Sequence, residues 1–217
     1  MLCDPTLYDV DIVFCLDMTC SNQGIVRVRE GLSDFYKSLC DRFENEGTGI
    51  DKFRVRFVLF KDYNCDPDPM TESRFFTLPD EMEDALAFAN GFMTGGGGDR
   101  PESSLEALSL AIGSDWNTEK RHRRQVIVLT TDSIPHPLGL PEGARPVNYP
   151  ENMPNSLDEL RQRWDTLDRC KRMYLFAPLT DAWDTFCDWD RVFLRDVEEG
   201  ANLSGVDLLN ELCMLFN

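Results

Sequence analysis

The stretch Val10-Asp11-Ile12-Val13-Phe14-Cys15-Leu16-Asp17-Met18-Thr19-Cys20-Ser21 decides how this chain folds. A short apolar run with β-branched residues stops abruptly at an acid, followed by two hydroxyls at alternate positions. A long helical pattern comes next. Such a run reads as a strand buried on both faces, as in a parallel sheet, with polar groups at its carboxyl end. In open α/β sheets ligands bind outside that end of the strands. Asp17, Thr19 and Ser21 are therefore the first candidate site residues.

Working outward, Ile25, Val26, Val28, Leu32, Phe35, Tyr36, Leu39 and Phe43 recur at helical spacing and predict a helix over about 23–44. Gly47-Thr48-Gly49 stops it, and Phe53 to Phe60 reads as the second strand. Lys61 to Ser73 is expected as a polar loop and Phe75 to Leu78 as a short edge strand. Pro79 is expected to open a helix at its first turn, a position that suits proline. Gly95 to Gly98 breaks the chain before a helix from Ser103 to Ile112. Val126 to Asp132 is a second buried strand that ends in an acid.

The proline-rich stretch from Ser133 to Pro154 is expected to be irregular, and loops of that length usually carry function. A helix from Leu157 to Leu167, a strand from Met173 to Ala177, a short helix from Thr180 and a strand at Val192 to Leu194 follow. Asp207 to Phe216 reads as a terminal amphipathic helix. Strands alternating with helices predict an α/β fold: doubly wound, Rossmann-like, with a mostly parallel central sheet and helices on both faces. One domain is expected over residues 1–217.

The net charge of −17 argues against nucleic acid or an anionic membrane as partner, since both call for clustered Lys and Arg. The one basic cluster, Lys120 to Arg124, is short and reads as a solvated turn before a strand. No apolar run is long enough to span a bilayer, and the acidic Asp4 with no basic region is unlike a secretory signal. A cytoplasmic protein is expected. Its eight cysteines form no C-x-x-C pair, and Cys15, Cys40 and Cys213 lie among apolar residues, so reduced core thiols are expected.

Three segments end in oxygen donors where an α/β sheet would gather them: Asp17, Thr19 and Ser21; then Asp99 and Glu102 at the mouth of a helix; then Asp132 after the following strand. Each has a structural reading by itself, as a helix N-cap or as an acid complementing a helix dipole. Their coincidence in this order is what points to a site. Carboxylates and hydroxyls suit a hard divalent cation, Mg²⁺ first, with Mn²⁺ or Ca²⁺ as the alternatives.

In these residues the chain resembles the von Willebrand factor type A domain with its metal-ion-dependent adhesion site, in particular its stand-alone bacterial members. The resemblance is carried by Asp17-Met18-Thr19-Cys20-Ser21, by Gly97-Gly98-Asp99-Arg100-Pro101-Glu102 and by Thr130-Thr131-Asp132-Ser133. The commonest form of the family has threonine where Asp99 stands, and the D-x-P-E wording is closer to the integrin β-subunit version. Either Asp99 or Glu102, or both, would then touch the metal. The resemblance implies a protein-binding module, not an enzyme, that holds an Asp or Glu of a partner protein through the cation.

Other readings compete less well. Asp62-Tyr63-Asn64-Cys65-Asp66-Pro67-Asp68 opens like an EF-hand loop, but Pro67 occupies the glycine position, so a solvated acidic loop at the rim is expected. The four glycines at 95–98 lack the phosphate-binding patterns and are expected to let the backbone approach the metal site closely. Ser133 and His136 hint at hydrolysis, yet no G-x-S-x-G elbow is present, and His136 reads as shaping the rim. A metal-dependent phosphoester or ester hydrolase is the alternative from another class. A scaffold with a degenerate metal site is the third reading.

Overall fold

In the computed structural model, which describes residues 6–19, 24–45, 47–96, 98, 101–119, 121–140, 145–146 and 148–197, the opening stretch forms β1 (Thr6–Asp17), inside a seven-stranded sheet. The chain continues through α1 (Gly24–Asn45), β2 (Thr48–Phe60), β3 (Met70–Glu72), β4 (Phe76–Leu78), α2 (Met82–Asn90) and α3 (Ser104–Ile112). Then come β5 (Arg123–Thr130), α4 (Leu157–Thr166), β6 (Lys171–Ala177), α5 (Asp181–Asp184), a 3₁₀ turn at Thr185–Asp188 and β7 (Val192–Asp196). Strands β2, β1, β5, β6 and β7 lie side by side and parallel, while β3 and β4 pair antiparallel with β2. This is the expected α/β fold with a mostly parallel sheet.

Successive side chains of a strand point to opposite faces, and both faces of β1 are covered. Val10, Ile12, Phe14 and Leu16 pack with Leu32, Phe35, Leu39 and Phe43 of α1 and with Ala85 and Ala89 of α2. Val13 and Cys15 pack on the other side with Leu105 and Leu108 of α3, Leu160 and Trp164 of α4, and Trp183 beyond β6. Two apolar layers around one sheet explain why the strand sequences are almost wholly apolar where they cross the middle of the domain.

The exceptions lie toward the amino-terminal half of β1. Asp11 is buried, and Arg54 on the neighbouring strand grips it through Nε to Oδ1 at 2.7 Å and Nη2 to Oδ2 at 2.6 Å. The Asn117 N–H donates to Asp11 Oδ2 at 2.7 Å, and Asn117 Nδ2 donates to Asp9 Oδ2 at 2.9 Å. A planar guanidinium matched to a carboxylate in this two-pronged way is the strong form of an ion pair.

Several expectations are corrected. Pro79 lies ahead of α2, which starts at Met82, because Met82 N–H bonds back to Pro79 O and closes a separate turn. The predicted loop Lys61–Ser73 contains β3, held by β2 through the pairs Val58↔Glu72 and Phe60↔Met70. Strand β5 ends at Thr130, leaving Thr131 and Asp132 beyond it. Arg123 and Arg124 belong to β5, where Arg123 pairs with Asp168 and Arg124 lies 4.8 Å from the Tyr8 ring centre, so these two residues of the basic cluster are not part of a solvated turn. Cys65 and Cys187 are exposed thiols outside the core. The helix expected at Asp207–Phe216 lies outside the described residues. Among the described residues no helix is long and apolar enough to cross a membrane.

Candidate metal centre

β1 runs between β2 and β5, so its last residue emerges at the centre of the carboxyl edge. Asp17 is fully buried there. Its Oδ1 accepts from the Thr19 N–H at 2.9 Å and from the Thr19 hydroxyl at 2.6 Å. Its Oδ2 accepts from the Thr131 hydroxyl at 2.6 Å. Both oxygens are thus fixed by hydroxyls from two adjoining strand ends. A hydroxyl that gives its only proton to a carboxylate turns lone pairs outward, which makes Thr19 a neutral acceptor suited to a cation.

Thr131 was not among the residues the sequence singled out. The register Leu16↔Thr130 sets Thr131 beside Asp17, and its own N–H is anchored on Phe176 O at 3.0 Å. Its hydroxyl also accepts from the Ser133 N–H at 3.1 Å. Two adjacent strands both ending in polar residues were visible in the sequence, but the pairing that joins them was not.

Burial raises the pKa of Asp17; the bonds from Thr131 and Thr19 lower it, and the nearby charge of Asp132 raises it again. Asp132 is half-buried and its charge is felt by the buried Asp17, and a divalent cation would relieve that repulsion. Such a donor set would suit a hard metal ion, with Asp17 and Asp132 to supply charge and Thr19 a neutral oxygen. Among the described residues, no three His, Cys, Asp or Glu side chains are arranged as a metal-binding group. Ser21 and Asp99, two of the expected ligands, lie outside the described residues.

Glu102 reaches the same end of the sheet by its backbone. Its N–H donates to Ile134 O at 3.0 Å, and the His136 N–H donates to Glu102 O at 2.9 Å, forming a parallel bridge between Glu102 and Pro135. The Glu102 side chain is buried. The Gly95 N–H donates to Met18 O at 2.9 Å, which draws the glycine run to the strand tip. Gly96 has φ of +89°, and a Cβ on it would overlap the Asp66 carboxylate, so this glycine serves close packing against the loop after β2.

That loop is the solvated one expected only in part: Asn64, Cys65, Pro67 and Asp68 are exposed, whereas Asp62 and Tyr63 at its start are buried. Asp62 is fully buried, and its Oδ1 accepts from the Asn64 N–H at 2.9 Å and lies 3.2 Å from His136 Nε2. Its burial comes from the start of α3, where the Ser103 N–H bonds to Lys61 O and the Ser103 hydroxyl accepts from the Tyr63 N–H. Glu106 of α3 is buried nearby, with Oε1 accepting from the Tyr149 hydroxyl at 2.8 Å and Oε2 having no hydrogen-bond partner among the described residues.

Burial pushes the Glu106 pKa up, the Tyr149 bond lowers it, and Asp62 raises it further. A carboxyl with a raised folded pKa contributes stability that is present below its unfolded value and is lost as pH rises through the folded one. Glu106→Gln is accordingly expected to stabilise the protein near pH 8, with little effect near pH 4. Urea unfolding at the two pH values checks this. Thr131→Val is expected to weaken cation affinity by about 10- to 100-fold while leaving the fold intact, as loss of a ligand-orienting group does. Calorimetric titration with Mg²⁺ and Mn²⁺ reads that change.

The sheet order and the position of the site define an α/β protein with a polar centre at the carboxyl edge of its parallel strands. Among solved structures, the chain is similar to the pilus adhesin SpaC from Lactobacillus rhamnosus GG in its open conformation, at 13% identity and a TM-score of 0.56. A second form of that adhesin is similar at 14% identity and a TM-score of 0.58. In each case 95% of this chain is covered, and it spans 30% of the adhesin chain. At this identity the likeness concerns the fold. No protein-family model and no curated protein matches the chain.

Proposed function

We propose that the chain is a metal-dependent protein-binding module of the von Willebrand factor type A kind, which captures an Asp or Glu side chain of a partner protein through a divalent cation. The observation that carries this reading is the pair of threonine hydroxyls clamped on Asp17 at the carboxyl edge, with Asp132 beside it. Thr19, Asp17 and Asp132 would hold the ion, joined by Ser21 and by Asp99 or Glu102. The bound ion would supply an electrophilic position to which a partner's carboxylate binds directly. Such coordination acts inside the roughly 8–10 Å over which salt screens the repulsion between two acidic proteins.

The similar structures are named as an adhesin, which is a binding protein and agrees in kind. Five free cysteines among the described residues fit a reducing compartment such as the cytoplasm.

The test is linkage. Mg²⁺ or Mn²⁺ at about a hundred times its Kd is expected to stabilise the fold by about 2.7 kcal/mol. For a chain of this size that raises Tm by about 5–10 °C. Partner capture should be lost in chelator and restored by added ion. An unchanged Tm across Mg²⁺, Mn²⁺ and Ca²⁺, with capture indifferent to chelator, would sink the proposal.

A further inference from the structure

Exposed apolar side chains are concentrated at one end of this molecule. Among the described residues four large ones are exposed: Leu7 (44%), Met93 (86%), Ile134 (41%) and Leu179 (61%). Three of the four stand on loops at the carboxyl edge of the sheet. Met93 lies two residues before Gly95, whose N–H is bonded to Met18 next to Asp17. Ile134 lies two residues after Asp132, and its carbonyl holds the Glu102 N–H. Leu179 lies two residues past the end of β6, where Phe176 O anchors the Thr131 N–H. Single exposed apolar side chains are ordinary on protein surfaces, but here three of the four stand on segments tied to the strand ends around one buried acid.

The charge around them narrows what fits. Asp68 in the loop after β2 and Asp181 and Asp184 in the segment after β6 are exposed at the same end, and the chain carries a net charge of −17. A polyacidic ligand would be repelled by every one of these groups. A segment with one carboxylate among large apolar side chains meets that repulsion once, at the point where the cation cancels it.

We infer that Met93, Ile134 and Leu179 form an apolar rim around the metal centre, and that the partner presents a single Asp or Glu flanked by large apolar residues. This rests on the metal-dependent reading above and adds the feature that sets specificity: the carboxylate is held at the centre and apolar neighbours are read at the rim. Met93 stands on the segment bonded to the tip of β1, and Ile134 and Leu179 on the segments that leave β5 and β6.

The experiment uses the full chain, immobilised in Mg²⁺, to select from displayed random peptides with a fixed central aspartate, with elution by EDTA. Eluted peptides are expected to be enriched in Leu, Ile, Met and Phe beside the aspartate. For the best of them, synthesised and titrated, Met93→Ser and Leu179→Ser should each weaken binding by about tenfold with Tm unchanged, since both side chains are exposed. EDTA-eluted peptides without apolar enrichment, or rich in further acids, overturn the inference and leave the metal-dependent reading standing. So does affinity that ignores both substitutions. Peptides that bind equally in EDTA, or equally to Asp17→Ala, overturn the metal-dependent reading itself and the inference with it.

Discussion

Asp17→Ala is expected to abolish the stabilisation by Mg²⁺ and Mn²⁺ and the capture of any acidic partner, in a chain that still folds. The alanine removes the anionic donor nearest the strand tip and releases the Thr19 and Thr131 hydroxyls that it orients. With its charge and its orienting role lost together, affinity should fall by well over the 100-fold that a lost orienting group costs. Stability is affected less than this burial suggests, because two costs oppose each other. The wild-type carboxylate is desolvated, which disfavours its charged form, while alanine strands three donors at about 1–3 kcal/mol for each left unsatisfied. The two hydroxyls can rotate to new acceptors, so the net loss is modest. Thermal melts with and without Mg²⁺ separate the effects, and an unchanged metal-dependent rise in Tm would remove Asp17 from the site. Asp17→Asn, which keeps the shape and one acceptor oxygen, should behave the same way toward the metal and unfold closer to wild type.

The largest loss of stability is expected elsewhere, at Asp11→Ala. Arg54 is mostly buried, with a side-chain exposure of 14%, and Asp11 is its two-pronged partner across the β1–β2 pair. Removing one member of a buried pair leaves the other charge uncompensated, at about 3–5 kcal/mol. The Asn117 N–H loses its acceptor in the same step. Tm should drop by roughly 6–20 °C, with cation affinity little changed because Asp11 sits six residues back along β1 from Asp17. Adding Arg54→Met to the same chain should recover a good part of the loss, since the stranded guanidinium is then gone. A drop below about 1 kcal/mol in Asp11→Ala would show that Arg54 finds other acceptors.

What could be seen in the sequence follows from what sets each feature locally. The parallel strands were legible because burial on both faces writes itself as an unbroken apolar run, as in Val126 to Leu129. β3 was not, because three residues among prolines carry no pattern, and only the edge of β2 makes Met70–Glu72 a strand. Asp17, Thr19 and Asp132 were legible as polar residues following apolar runs. Thr131 was hidden because its role depends on the register between β1 and β5, eight residue pairs that no single segment encodes. Asp62 was misjudged for a similar reason. Its loop looks solvated by composition, and it is buried only because the start of α3 and the stretch after β5 close over it.

The parallel bridge between Glu102 and Pro135 also bears on ion choice. It joins the start of α3 to the segment that leaves β5 through two backbone hydrogen bonds, so two borders of the proposed centre are tied together. Ca²⁺ tolerates loose, variable shells, whereas Mg²⁺ demands near-ideal octahedral geometry at short distances. With the proposed cation in place, a frame tied in this way would favour one ionic radius over another through backbone hydrogen bonds that never touch the metal.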